Sequence, residues 1–276
     1  MQNKKTNESI KDNSFRFNKQ FGQNFISDGN LLSAIVSDAG VTEIDNVLEI
    51  GAGAGALTQK LSEKAKKVVS FEIDNNLKPI LSETLAGCNN VELIFENALE
   101  TSMEKIEKLF NGEKFKVVAN LPYYITTPLI FKFLEETDKV SSITVMVQKE
   151  VAERLASKPS TDEYGTITPL CNYHAIVSIK RNVGRQMFRP VPNVDSAIVH
   201  FQIDRTRFDC LNYENLKKIV HSAFSMRRKT LLNNLNSAGF NKEKVEKILA
   251  SLSLSPSIRG EALTTAQFIE LSNLLK

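Results

Sequence analysis

The sequence predicts an α/β protein: a mostly parallel sheet with helices on both faces, followed by a small helical domain. Three observations predict it. Apolar strand-like runs alternate with helical segments between about residues 46 and 148, the pattern of β-α-β units. The first of these runs ends in a glycine turn, Gly51, Gly53 and Gly55, that opens directly into a helical pattern from Ala56. After about residue 204 the strand pattern stops and helical periodicity takes over.

Taken in order, the first twenty residues carry Lys4, Lys5, Lys11, Arg16 and Lys19 against Glu8 and Asp12, without hydrophobic periodicity until Phe15. Residues 1–20 therefore read as a flexible basic arm. Asp28 is a suitable N-cap for a helix over 29–39 that stops at Gly40. Strands are expected near 46–50, 67–72, 91–96, 116–120 and 142–148, with helices between them. Two later apolar runs, 175–182 and 196–203, are close enough to pair antiparallel at the sheet edge, and the turn FRPVPN with its two prolines links them. Helical patterns follow at 213–224, 227–237, 242–251 and 264–274, broken by SAGF at 237–240 and SLSPS at 253–257. The expected organisation is thus an arm, a domain over 21–203 and a helical domain over 204–276.

A chain of 276 residues has room for one α/β domain of about 200 residues and a smaller second one. It shows no signal peptide and no apolar run approaching ~18 residues, so neither secretion nor membrane insertion is expected, and a cytoplasmic protein is. Cys88, Cys171 and Cys210 are odd in number and scattered, which makes neither a disulfide framework nor a zinc site. His174, His200 and His221 fall in no ligand spacing, so no metal is implied. The net charge of +3 says little about partners, but its distribution says more. Lys180, Arg181, Arg185 and Arg189 lead into or flank Phe188, and Arg227, Arg228 and Lys229 form a second cluster. Basic side chains beside an aromatic suit phosphate contacts around an unstacked base, although solvated surface explains most such runs.

Two motifs carry chemistry. The run NLPYYITTP at 120–128 places Asn, Pro and an aromatic at the end of an expected strand. A nucleobase amino nitrogen is a poor nucleophile because its lone pair is conjugated into the ring. The Asn120 carboxamide oxygen and the Leu121 carbonyl can accept hydrogen bonds from its two N–H groups and aim that lone pair. Pro122 fixes its own φ and keeps Leu121 extended, and Tyr123 can stack on the base face. A strand, a turn and a helix starting near Thr126 or Thr127 is the plain structural alternative. The second motif is the glycine turn of NVLEIGAGAGALT at 46–58, whose GxGxG spacing differs from the GxGxxG of pyrophosphate binders. The next strand ends in Glu72, where an acid can accept from both ribose hydroxyls. Asn97, after the third strand, is either a turn residue or a contact to an adenine amino group. Glycine turn, acid and NLPY after the first, second and fourth strands, in that order, argue for S-adenosylmethionine at the carboxyl ends of parallel strands.

These residues resemble the ribosomal RNA small-subunit adenine N6,N6-dimethyltransferases, the KsgA or RsmA group. The resemblance runs almost end to end: FGQNFISD at 21–28, EIGAGAGALT at 49–58, FEID at 71–74, NLPYYITTP at 120–128, MVQKEVAERL at 146–155, FRPVPNVDSAIV at 188–199 and FSMRRKTLLNNL at 224–235. It implies a Rossmann-like methyltransferase fold with a seven-stranded sheet, and dimethylation of N6 on two adjacent adenines. It implies that Asn24 and Ile26 help hold the donor, with Gly51 and Gly53 under it, Glu72 on its ribose, Asn97 by its adenine, and Asn120 shared between donor and target. Asn120 and Leu121 then face the target amine with Pro122 holding the loop rigid, while Tyr123 and Phe188 sandwich the flipped adenine. Arg185, Arg189, Arg227, Arg228 and Lys229 are the expected RNA contacts, the partner is a pre-30S particle, and the protein is expected to be monomeric. Such enzymes usually carry Asp where this chain has Asn97, so weaker donor affinity is expected. Residues 164–175 match the family less well.

Overall fold

The structure is a computed structural model that describes residues 25, 26, 28–122 and 125–275. Strands β1 (Phe25–Ile26), β2 (Asn46–Ile50), β3 (Lys67–Phe71), β4 (Val91–Ile94), β5 (Phe115–Asn120), β6 (Val140–Gln148), β7 (Ala175–Val183), β8 (Phe188–Arg189) and β9 (Ser196–Ile203) alternate with helices. The helices are α1 (Gly29–Asp38), α2 (Ala56–Ser62), α3 (Lys78–Thr84), α4 (Met103–Leu109), α5 (Thr126–Glu135), α6 (Lys149–Leu155), α7 (Ile167–His174), α8 (Tyr213–Ala223), α9 (Leu231–Ser237), α10 (Lys242–Ser251) and α11 (Thr265–Leu274).

Seven strands form one sheet in the order β4-β3-β2-β5-β6-β9-β7. β2, β3, β4, β5 and β6 pair in parallel, and β9 pairs antiparallel with β6. The five expected parallel strands and the two late edge strands are all present. Their composition explains why. β2 and β3 are buried along almost their whole length around Val and Leu, Ile or Phe, as strands covered on both faces are. Asp28 caps α1 by accepting from Asn30 N at 2.8 Å and Leu31 N at 2.9 Å, worth about 1 kcal/mol. Gly40, at φ +59°, ends it in the left-handed conformation that glycine takes without a steric penalty.

The chain separates into two compact units. The first comprises residues up to Ala152 together with Ser178–Ile203; the second comprises Glu153–Val177 and Asp204–Lys276. One edge of that division matches the composition change near residue 204. Residues 153–177, expected inside a continuous domain over 21–203, instead group with the helices. The reason is local: the Tyr164 hydroxyl donates to the Leu263 carbonyl at 2.7 Å, and its ring lies 5.8 Å from that of Phe224.

The helix expected over 227–237 begins four residues late. Thr230 is its N-cap, accepting from Asn233 N at 3.3 Å, and the buried Asn234 amide donates to the carbonyls of Ala223 and Met226. Those bonds hold residues 224–229 as turns, so Arg227, Arg228 and Lys229 lie on an exposed loop rather than on a helix face. The basic arm expected over 1–20 lies outside the described residues. No helix among the described residues is long and apolar enough to cross a membrane.

Candidate active site

The chain begins its sheet in the middle, at β2, winds outward through β3 and β4, then returns to add β5 on the other side of β2. The carboxyl ends of β2 and β5 therefore flank a topological switch point, where open α/β sheets bind ligands. Ile50 pairs with Ala119, so the next residues, Gly51 and Asn120, are neighbours. A Cβ built on Gly51 would lie 3.8 Å from the Asn120 carbonyl oxygen. Gly51, Gly53 and Gly55 all have positive φ, +83°, +57° and +85°, a conformation costly for any residue with a Cβ.

Glu72 stands where the sequence places it, just past β3. Its carboxylate is 6% exposed and is held by three backbone amides: Gly53 N donates to Oε2, and Ile73 N and Asp74 N donate to Oε1, each at 2.8 Å. Burial raises its pKa, while the three amide bonds oppose that rise. The carboxylate thus ties the glycine turn to the end of β3 and retains a lone pair on Oε2 for a hydroxyl donor.

Past β5, Leu121 is buried, and the Pro122 carbonyl accepts from Ile125 N at 3.2 Å and Thr126 Oγ1 at 3.3 Å. These bonds turn the chain into α5 at Thr126, the start that the sequence suggested. Asn120 makes further contacts and pairs in register with Met146. Tyr123 and Asn24 lie outside the described residues.

Ile26 pairs with Phe188, and Phe25 with Arg189, in the small β1–β8 ribbon. The Phe25 ring covers Gly53, so that a Cβ there would come within 3.0 Å of it. The sequence signalled neither this contact nor the three-amide cradle of Glu72. Both arise from loops that meet only after the sheet forms.

Two of the expected site residues are engaged within the fold itself. Phe188, expected to stack on a flipped adenine, is 1% exposed and sits in an apolar cluster with Leu31, Ile35, Met146 and Ile198. Neither face of its ring is open to a base in this conformation, because its place in the β1–β8 ribbon turns it inward. Asn97 acts as a turn residue: Leu99 N donates to its Oδ1 at 3.1 Å, and its Nδ2 donates to Glu100 at 2.8 Å.

The expected RNA contacts occupy two separate places, one in each unit. Arg185 is exposed and bonds the Asn193 carbonyl at 3.3 Å; Arg189 bonds the carbonyls of Gln186 and Phe188. Both brace their own loop while leaving other guanidinium N–H groups for a phosphate. Arg227 donates to the Asp162 carbonyl at 2.6 Å and lies 4.0 Å from Glu261, while Arg228 and Lys229 extend from the exposed turn.

Glu49 is the residue whose importance the sequence understated. An acid inside the apolar run VLEI was the only signal. It is fully buried and adds a second carboxylate near Glu72. A polar recess lined by Asn46, Lys66, Lys67 and Glu92 opens at the amino ends of the strands. Its lysines are ion-paired to Glu113 and Glu92, so it is no rival for the site.

The profile of the ribosomal RNA adenine dimethylase family matches residues 14–276. The chain belongs to that family. Among curated relatives, the ribosomal RNA small subunit methyltransferase A of Clostridioides difficile (strain 630) is 42% identical over 273 residues, covering 98% of this chain and 94% of that protein. The protein of the same name from Bacillus cereus (strain B4264) is 43% identical over 278 residues, covering 98% and 95%. Among solved structures, a dimethyladenosine transferase from Plasmodium falciparum superposes with a TM-score of 0.76 at 29% identity, covering 90% of this chain and 95% of that one. The 23S rRNA methyltransferase ErmE superposes with a TM-score of 0.72 at 26% identity, covering 91% and 99%. As a member of the adenine dimethylase family, the protein is an S-adenosylmethionine-dependent methyltransferase acting on ribosomal RNA. The residues present fit that donor: bare backbone at Gly51 and Gly53, a buried carboxylate with a free lone pair, and acidic surroundings suited to a sulfonium cation.

Proposed function

We propose that the protein transfers methyl groups to N6 of two adjacent adenines in the 3′-terminal hairpin loop of small-subunit (16S) ribosomal RNA. It acts as a cytoplasmic monomer on a pre-30S particle and contributes to small-subunit biogenesis. The observation that carries this reading is the adjacency of Gly51 and Asn120 across the β2–β5 switch point, which sets the donor turn beside the NLPY segment. The names of relatives 42% and 43% identical over nearly the whole chain support the choice of the small subunit.

Each residue then has a physical task. When bound, S-adenosylmethionine supplies an activated methyl group on a good leaving group. Gly51 and Gly53 admit it against bare backbone, Glu72 accepts from its ribose, and Ile26 and Asn24 help hold it. Asn97 lies near its adenine, where the turn it forms leaves its oxygen one further lone pair. Asn120 Oδ1 and the Leu121 carbonyl accept the two N–H groups of the target amine, pyramidalise its nitrogen and aim its lone pair at the methyl carbon, so no strong base is required. Pro122 restricts Leu121 to an extended conformation and keeps its carbonyl aimed. Tyr123 stacks on the extruded adenine, whereas Phe188 anchors the FRPVPN loop in the core and presents Arg185 and Arg189 outward. The arginines and Lys229 neutralise phosphates.

Mass spectrometry of adenosines after incubation with unmethylated small subunits and isotope-labelled donor tests this reading. Dimethyladenosine at two adjacent positions of the small-subunit RNA is the expected product. Label appearing only in large-subunit RNA, or in neither, would overturn it.

A further inference from the structure

Glu49, the penultimate residue of β2, has no part in the reaction as described, yet it sits at the centre of the elements that build the donor site. Its Oε2 accepts two short hydrogen bonds, each 2.6 Å, from Thr58 in the first turn of α2 and from Ser70 in β3. Its Oε1 is buried and has no hydrogen-bond partner among the described residues. One carboxylate therefore joins the strand that carries Gly51, the helix that follows Gly55 and the strand that leads to Glu72. The half-satisfied group is held in place by two hydroxyls but left electrostatically unbalanced.

Its charged neighbours deepen the imbalance. Just past β3, Glu72 acts on it with the same sign, and Asp74 in turn acts on Glu72. The cations on the surrounding elements are engaged elsewhere. Lys60 of α2 bonds Glu63, Lys67 of β3 bonds Glu92 and the Leu109 carbonyl, and Lys116 of β5 bonds Asp45 and the Gly40 carbonyl. Burial, offset in part by the Ser70 and Thr58 bonds, pushes the Glu49 pKa up to about 7.

We propose that Glu49 is a charge-sensing positioning residue of the donor site: it ionises when the positively charged donor binds, and so favours that donor over its neutral demethylated product. This rests on placing the donor at the Gly51–Gly53 turn beside Glu72. S-adenosylmethionine carries a sulfonium, an ammonium and a carboxylate, for a net charge of +1; loss of the methyl group removes the sulfonium charge. A cation entering a poorly solvated site favours the ionised form of nearby carboxylates. Donor binding therefore drives the Glu49 proton into solvent. Methyl transfer removes the charge that held Glu49 ionised, the proton returns from solvent, and the product is held less tightly than the donor.

Isothermal titration calorimetry at pH 6, 7 and 8, in buffers of different ionisation enthalpy, measures this proton directly. The ligands are S-adenosylmethionine and S-adenosylhomocysteine. Wild-type protein is expected to release more protons on binding the donor than Glu49→Gln does, and to show no comparable excess with S-adenosylhomocysteine. Because ionised Glu49 is required, its contribution weakens donor affinity about tenfold between pH 8 and pH 6, a change absent from Glu49→Gln. The donor's own ammonium contributes equally to both proteins and cancels in the comparison. Should Glu49→Gln fail to fold, Ser70→Ala removes one hydroxyl that favours the ionised form and moves the midpoint of proton release to higher pH. Equal proton release by wild type and Glu49→Gln, or an unmoved midpoint in Ser70→Ala, overturns the proposal. Glu72→Ala binding the donor as wild type does would instead overturn the placement of the donor, and the proposal with it.

Discussion

Replacing Phe188 by alanine separates two roles for this ring, because the structure and the sequence resemblance lead to opposite outcomes. The side chain is 1% exposed and packs among Leu31, Leu32, Ile35, Val36, Met146 and Ile198. Truncating a phenylalanine in such surroundings removes its transfer free energy and leaves a cavity, together about 3–5 kcal/mol. For a domain of this size each kcal/mol lowers the melting temperature by roughly 2–4 °C, so Phe188→Ala should melt on the order of 10 °C below wild type. Calorimetry and urea denaturation followed by circular dichroism give both numbers. Phe188→Leu keeps a branched apolar side chain in the cavity and should recover most of the loss. A Phe188→Ala protein that melts within about 2 °C of wild type while losing turnover would refute the core assignment and return the ring to the base.

Asn120→Ala should keep wild-type stability but lower turnover by about 10² to 10³, the loss typical of one preorganised transition-state partner; wild-type rates would remove Asn120 from the mechanism. Glu72→Ala removes the acceptor of three backbone amides and should both abolish measurable donor binding in calorimetry and destabilise the glycine turn. Arg228→Ala with Lys229→Ala should weaken binding to small-subunit RNA and lower the slope of log affinity against log salt by about 2, one per phosphate contact, with the rate on saturating RNA unchanged. For stability, the folded pKa of Glu49 lies above the value of 4.5 for an unperturbed glutamate. Its contribution is therefore complete below about pH 4.5 and is lost as pH rises through about 7, in total about 3 kcal/mol. Urea denaturation at pH 5 and pH 8 should show wild type losing stability relative to Glu49→Gln over that window.

The sheet was legible because its strands are unusually plain. VLEI, KVVSF and FKVVAN are largely apolar runs of strand length followed by glycine, acid or Asn-Leu-Pro punctuation, and their alternation with helical segments fits a doubly covered parallel sheet. The positions of Gly51, Glu72 and Asn120 followed, since each lies at a strand's carboxyl end. What escaped was set by tertiary contact. Phe188 looks like an exposed aromatic among arginines and prolines, and only its pairing with Ile26, over 160 residues away in sequence, turns it into the core. Asn97 is equally suited to a turn or a ligand contact, and it forms the turn through the bond from Leu99 N while its oxygen keeps a further lone pair. The late start of α9 reflects the Thr230 cap and the buried Asn234 amide, because MRRKT by composition is as good a helix as the residues after it.

The second unit is assembled from two stretches of chain, Glu153–Val177 and Asp204–Lys276, and this bears on how the protein can be made and cut. During synthesis the earlier stretch leaves the ribosome without its partners. Tyr164 waits for Leu263 and Phe224, and Ser160 N for the Glu261 carbonyl. This unit therefore cannot mature vectorially and closes only once the last helix has emerged. A chain truncated at residue 203 would keep every strand of the large sheet yet leave Tyr164 without Leu263 and Phe224, making it prone to aggregation. A separable N-terminal half would need its 153–177 excursion replaced by a short polar linker, not merely a stop codon.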